Sequence, residues 1–326
     1  MGVDGHMSIP TLDQAYTKGY KDNQVRWIQE WLVLNGCETS IDARFGPARY
    51  QSLHFLNSIC YSSFLLCSEN RLGIPMSALH ISGIIPARYS SSRYPGKPLA
   101  PLGDKTMIQH VYDRCLLSDT LDDVYVATDD ERIQKAVEAF GGKVIMTRAD
   151  HPSGTDRLAE ATEKIDTDII VNIQGDQPFF DPDMVLEGVQ PLLDDPSLEL
   201  CTLMAAIGDK SDHLDTGFVK TVCNLQGDAL YFSRSLIPYP HTNTPHGVYE
   251  HLGLYVYTKA MLIKLAALPP TILEQVESLE QLRWLEHGIR IRVVETQCTD
   301  QAFSGFSIDT LEDLQRGEAM LKERGL

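Results

Sequence analysis

Apolar positions change their rhythm along this 326-residue chain, and the change divides it. Before residue 78 they recur at helical spacing: Val25, Ile28, Trp31, Leu32 and Leu34 form one stripe, closed by Gly36 as a C-cap. A turn from Asp42 to Pro47 leads to a second helical stretch, Tyr50 to Leu66, and Gly73, Ile74 and Pro75 punctuate its end. The pattern predicts a small all-α domain over residues 1–77 and a larger domain over 78–326. The opening Met-Gly-Val-Asp-Gly-His-Met resembles an expression-vector scar.

From Ile81 onward short apolar runs alternate with amphipathic ones. Strands are predicted at 81–86, 123–128, 143–147 and 168–173, with helices at 106–117 and 130–140, the second opened by a Thr128-x-x-Glu131 capping box. Strand, helix, strand in this order predicts an α/β fold: a mostly parallel central sheet covered by helices on both faces. After Leu200 the runs shorten to 199–206, 219–224, 228–233 and 248–257, which predicts a small antiparallel excursion. Helices at 259–267, 276–287 and 310–323 complete the pattern.

Composition narrows the function classes. A formal charge of −17 repels nucleic acid and anionic membrane alike, so neither is an expected partner. Seven scattered cysteines without CxxC spacing fit reduced thiols better than a disulfide framework or a zinc site. No apolar run reaches membrane-spanning length and no secretory signal is read at the start, which predicts a cytoplasmic protein.

Against that acidic background, the segment IIPARYSSSRYPGKPL (84–99) holds Arg88, Arg93 and Lys97 and no carboxylate. Cations beyond the carboxyl end of a strand suit a polyanion such as a nucleoside triphosphate; the alternative is a solvated turn. After the third strand, Ser153, Gly154, Thr155 and Arg157 offer donors for a base and a phosphate, although Ser153 or Thr155 would equally cap the next helix. After the fourth, Asp176 follows Gly175 and is placed to hold Mg²⁺ against a triphosphate, the alternative being a β-turn. Asp309 is a second candidate carboxylate, but Asp309-x-x-Glu312 is itself a capping box, and spacing alone favours the cap. Lys220, Arg234 and His251 lie in or beside strands, where convergence would suit a carboxylate-bearing substrate and edge salt bridges are the plainer reading. Glu280 and Gln281 sit on a helix whose other face is apolar, so solvent exposure is expected of them.

Seven segments in this order resemble the 3-deoxy-manno-octulosonate cytidylyltransferase (CMP-Kdo synthetase) family: IIPARYSSSRYPGKPL, TRADHPSGTDRLAE, VNIQGDQPF, ALYFSRSLIPY, HLGLYVY, LEQLRWLEHG and IDTLEDL, from Ile81 onward. The resemblance implies a nucleotide-diphospho-sugar transferase-like fold and transfer of CMP from CTP to the sugar acid Kdo for lipopolysaccharide, with release of pyrophosphate. It implies that Arg88 and Lys97 grip the triphosphate, that Ser90 and the segment Ser153–Arg157 hold the nucleotide, and that Asp176 and Asp309 carry Mg²⁺. It assigns Gln174, Lys220, Arg234, His251, Glu280 and Gln281 to the sugar-acid pocket and places a homodimer contact in the antiparallel excursion.

Two positions depart from the family pattern, Gln177 where Glu is usual and Tyr94 where Leu is usual. Neither is an implied metal ligand, so the departures bear on sugar preference rather than activity class. The N-terminal part is foreign to the family and weakly resembles a peptidoglycan-binding helical module, with Ala43 where glycine is usual; a regulatory appendage is the alternative. Rival readings are a cytidylyltransferase for 8-amino-Kdo or a nonulosonic acid, a sugar-1-phosphate nucleotidyltransferase, and a non-catalytic wall-binding protein.

Overall fold

A computed structural model describes residues 79–90, 94–298, 300, 303 and 305–325. The helical domain expected over residues 1–77, and Arg93 of the basic loop, lie outside the described residues.

The chain enters through β1 (Ile81–Ala87), makes a one-turn 3-10 helix (Lys97–Leu99) and a hairpin of β2 (Pro101–Leu102) and β3 (Lys105–Thr106), and continues into α1 (Met107–Cys115). There follow β4 (Asp123–Thr128), α2 (Glu131–Ala139), β5 (Lys143–Met146), α3 (Gly154–Glu163), β6 (Ile169–Asn172) and α4 (Asp183–Asp194). The second half comprises β7 (Leu200–Ala206), β8 (Lys220–Cys223), β9 (Ala229–Ser233) and β10 (Tyr249–Thr258), then α5 (Lys259–Ala266), α6 (Ile272–Glu277) and α7 (Glu280–Glu286). It ends with β11 (Arg292–Glu295) and α8 (Leu311–Arg324).

The main sheet has the order β11-β7-β10-β6-β1-β4-β5. Strands β6, β1, β4 and β5 are mutually parallel, β11 is parallel to β7, and β10 runs against both of its neighbours, β6 and β7. The predicted antiparallel excursion is therefore smaller than its sequence span: β7 and β10 belong to the central sheet, and only the β8–β9 ribbon, attached through β8 to β10, stands outside it. β11 was not anticipated; four residues between two loops leave no readable period.

Alternation at period two sorts each strand onto two cores. Ile85, Val126, Val171, Val256 and Leu203 pack in one cluster with residues of α1, α2 and α4; Ile84, Ala127, Ile170 and Tyr257 pack in another with residues of α3, α5 and α7. Helices thus cover both faces, as double-sided burial of near-continuous apolar strands requires. A third cluster joins Leu102, Met107, Phe179, Ile308, Leu314 and Leu321, seating α8 beside the end of the sheet where β1 and β6 terminate. Among the described residues no helix is long and apolar enough to cross a membrane.

Three local expectations are corrected. Helix α2 is capped by Asp130, whose side chain accepts from the Arg132 amide, while Thr128 only receives the Asp130 amide. The predicted helix 276–287 is two helices, α6 and α7, broken at Ser278, which adopts φ 54°. And α8 is capped by Thr310 with Asp313 in a capping box, one residue later than the Asp309–Glu312 reading.

Candidate active site

Parallel strands deliver their loops to one end of a sheet, so Arg88 after β1, Ser153 after β5 and Gln174 to Asp176 after β6 emerge together. The β1 loop is folded back on itself. The Gly96 amide donates to the Tyr89 carbonyl at 2.8 Å, and the Arg132 guanidinium stacks 3.2 Å from the Tyr89 ring centroid while hydrogen-bonding Asp130. Gly96 has φ 75°, and a Cβ there would stand 3.1 Å from the Tyr89 ring, so only glycine closes this loop without strain. The closure sets the backbone of Lys97, the next residue. Gly175 is needed for another reason: a Cβ would lie 2.9 Å from the Pro86 carbonyl oxygen, because the β6 loop crosses directly over the end of β1.

Three of the sequence-derived candidates meet at one point. The Lys97 Nζ donates to Asp176 Oδ2 and to Asp309 Oδ1, each at 3.0 Å, although Lys97 and Asp309 are 212 positions apart. The Ile308 amide donates to the Asp176 carbonyl at 2.9 Å, fixing the approach to α8 against the β6 loop. Since Thr310 performs the capping, the Asp309 carboxylate is spared for this cluster. The preference for a cap at Asp309 fails by one residue.

The Lys97 side chain is 13% exposed, against 31% for Asp176 and 28% for Asp309, so the cluster opens toward solvent at its acidic side. Two carboxylates already arranged about one cation suit a hard divalent ion, which takes one or two protein carboxylates and completes its shell from phosphate and water. Among the described residues no group of three or more His, Cys, Asp or Glu makes an all-protein cage.

Arg88 donates through Nη2 to the Ser153 carbonyl at 2.5 Å, linking the β1 loop to the start of α3, and Ser90 is exposed nearby in sequence. Ser153 is the N-cap of α3, as the plainer reading held, and its hydroxyl also donates to Asp156 at 2.6 Å. Gly154 opens the helix and Thr155 donates to Glu280 Oε2 at 2.6 Å. Arg157 is fully buried, donating to Thr147 Oγ1 at 2.6 Å and pairing with Asp129 at 2.9 Å; burial pulls its guanidinium down from the usual arginine range. In this structure it braces the ends of β4 and β5. His151, in the same segment, hydrogen-bonds Glu160.

The sugar-acid candidates gather around the start of β10. Gln174 Nε2 donates to the Gly253 carbonyl at 2.9 Å, inside a bulge of β10 between Leu252 and Tyr255. Thr202 on β7 explains the bulge: its hydroxyl lies 2.8 Å from the Leu254 carbonyl and 3.1 Å from that of Leu252, and 3.0 Å from His251 Nε2. With the Thr202 proton given to a carbonyl, the imidazole carries its own proton on Nε2, and Nδ1 faces the Gln281 amide at 3.5 Å. Burial pushes the His251 imidazole down to about 3, so it acts as a neutral hydrogen-bonding group.

Glu280 and Gln281 correct the exposure expected of them. Gln281 is 5% exposed, and burial raises the Glu280 carboxyl against the hydrogen bonds that hold it down. The αL residue Ser278 is the cause: the chain turns there, and α7 begins with both polar side chains facing inward. Lys220 is fully buried, with Nζ donating to the carbonyls of Asp215, Phe218 and Arg234 at 2.6–2.7 Å; burial lowers its ammonium from the usual lysine range. Arg234 donates through Nε to the Glu277 carbonyl and through Nη1 to the Thr216 carbonyl. Thr202, Glu277 and Arg132, which hold these groups, carried no sequence signal, since each reads as an ordinary strand or helix residue.

A family model described as "Cytidylyltransferase" matches residues 82–291. A 3-deoxy-manno-octulosonate cytidylyltransferase from Syntrophotalea carbinolica is 49% identical over 75% of this chain and 99% of its own length. The chain belongs to the 3-deoxy-manno-octulosonate cytidylyltransferase family. It is accordingly a nucleotidyltransferase. A solved CMP:2-keto-3-deoxy-manno-octonic acid synthetase in complex with CTP is 45% identical, covers 75% of this chain and 99% of that one, and superposes with a TM-score of 0.71. An 8-amino-3,8-dideoxy-manno-octulosonate cytidylyltransferase from Shewanella halifaxensis is 46% identical over 74% of this chain and 99% of its own length.

Proposed function

We propose that this chain transfers CMP from CTP to the anomeric hydroxyl of Kdo, forming CMP-Kdo and pyrophosphate, as the cytoplasmic activation step for a lipopolysaccharide sugar. The observation that carries the reading is the meeting of Asp176 and Asp309 on Lys97, beside the closed β1 loop. The CTP-bound relative at 45% identity supports the nucleotide assignment.

Arg88 and Lys97 hold the triphosphate, with Ser90 and the residues Ser153 to Arg157 around the nucleotide. Asp176 and Asp309 would hold Mg²⁺, which would supply charge neutralisation at the α-phosphate and favour ionisation of the attacking hydroxyl. Lys97 and Arg88 stabilise the pyrophosphate as it departs. Gln174, His251, Glu280 and Gln281 form the polar wall for the sugar acid, with Arg234 available to its carboxylate and Lys220 fixing the Arg234 backbone. A neutral His251, held between Thr202 and Gln281, orients the Gln281 amide toward the sugar acid and carries no proton in the reaction.

Pyrophosphate release with CTP, Mg²⁺ and Kdo tests this directly. Turnover with Kdo and CTP exceeding every other nucleotide and sugar pair supports it; release only with a sugar 1-phosphate overturns it. The 8-amino relative at 46% identity makes 8-amino-Kdo the acceptor to run beside Kdo, and a higher kcat/KM for it reassigns the sugar while keeping the chemistry.

We also propose a homodimer formed through the β8–β9 ribbon and α6. Leu230 is 61% exposed on β9, and Ile272 and Val276 are 74% and 76% exposed on α6, an apolar load that favours a partner over water. Light scattering that returns a monomer mass at micromolar concentration removes this part.

A further inference from the structure

We infer that Lys97 is the resident counter-ion of the metal site: it occupies Asp176 and Asp309 until a triphosphate draws it away, so that divalent cation and CTP bind as mutually dependent ligands. This deepens the proposed function and rests on its assignment of Asp176 and Asp309 to the metal.

One ammonium touches both carboxylates, at 3.0 Å each, through Asp176 Oδ2 and Asp309 Oδ1. A divalent cation taken up by those carboxylates would displace that ammonium or sit beside it at the cost of close cation–cation repulsion. The backbone of Lys97 is tied on both sides. It is held by Lys97 N to the Tyr94 carbonyl, Ala100 N to the Lys97 carbonyl, and the Gly96–Tyr89 closure. The movable part is the four-carbon stem, a flexible carrier of a compact point charge. A triphosphate offers that charge an alternative partner of higher negative charge at the same loop.

Nucleotide therefore vacates the carboxylates, and linkage makes the effect reciprocal: whatever factor CTP adds to metal affinity, metal adds to CTP affinity. Without nucleotide, Lys97 offsets one of the pair's two negative charges and competes with stray divalent ions for the same carboxylates. Once nucleotide has drawn the ammonium away, the exposed side of the cluster can receive the metal together with the phosphates.

Mn²⁺ binding to the full-length chain, followed by the electron paramagnetic resonance of free Mn²⁺, tests this without turnover. Nucleotide-free wild type should bind Mn²⁺ at least tenfold more weakly than Lys97→Met, and CTP should raise Mn²⁺ affinity more in wild type than in the variant. Lys97→Gln, shorter and still polar, should show the same gain and guards against a folding defect in the first variant; circular dichroism confirms the native fold of each. Equal Mn²⁺ affinities in wild type and folded Lys97 variants overturn the counter-ion role while leaving the metal assignment intact. If Asp176→Asn leaves Mn²⁺ binding to Lys97→Met unchanged, the metal assignment itself falls. These two failures are read from different pairs of titrations.

Discussion

The proposed phosphate corner and the proposed sugar-acid wall are built by opposite means. The corner is a cluster of full charges, Lys97 with Asp176 and Asp309, each partly open to water and each able to change partners. The wall is made of buried or half-buried groups whose donors are already committed: Lys220 to three carbonyls, Gln174 to Gly253, His251 to Thr202. Exposed ion pairs contribute little to folding, whereas a buried polar group left without its partner costs about 1–3 kcal/mol. One region should therefore govern turnover with little effect on stability, and the other should affect both.

The sharpest break of this contrast is Asp176→Ala. It should lower kcat by about 10³-fold or more, the scale of a lost metal and electrostatic contribution, while the thermal midpoint moves by no more than about 2 °C. Near-wild-type turnover removes Asp176 from the chemistry, and a large fall in midpoint erases the contrast.

Lys220→Met should do the reverse in stability, costing about 3 kcal/mol by urea unfolding, because three buried carbonyls lose their donor at once. A loss below about 1 kcal/mol shows that water reaches those carbonyls.

The wall also sets a pH dependence. His251 falls from an ordinary 6.5 to about 3 by burial, so the unfolded chain takes up its proton first, and this group makes stability drop as pH falls below about 6.5. Neighbouring Glu250, raised by burial from 4.5 to about 7, works the other way: its contribution is present below 4.5 and is lost as pH rises through 7. Replacing Glu250 with Gln should leave a variant whose stability relative to wild type is higher at pH 7.5 than at pH 5, read from urea midpoints. The same difference at both pH values dismisses Glu250 as a buried acid.

The smallest expected effect is Thr310→Ala, about 1 kcal/mol for the loss of the α8 cap. Because Asp309 is held by the Asp176 loop through Ile308 as well, kcat should change by less than about threefold. A larger fall in kcat makes the cap part of the corner.

What could be read from the sequence follows from range. The strands β1, β4, β5 and β6 and the capping serine before α3 were legible because apolar period and cap chemistry are local. The basic loop stood out because a cluster without carboxylates is conspicuous in a chain of charge −17. The meeting of Asp309 with Asp176 had to come from resemblance, since spacing assigned Asp309 a capping role that its neighbour Thr310 fills. The inward turn of Glu280 and Gln281 was illegible for a related reason: it depends on a left-handed Ser278, and nothing in a Glu-Ser-Leu-Glu run announces positive φ. The β10 bulge rests on a threonine from another strand, a contact no local window contains.

The reversed strand β10 has a consequence for how such a sheet recognises its ligand. Neighbouring strands present residues only as they leave the sheet, whereas β10 presents Glu250, His251 and Gly253 as it arrives, at the same rim. A loop is tethered at its ends and free in the middle, but Glu250 and His251 stand on paired backbone, and Gly253 follows in the bulge that Gln174 and Thr202 hold. The acceptor's side of the cleft thus inherits the stiffness of the scaffold itself, and selectivity for the sugar can sharpen there without any loop having to order around it.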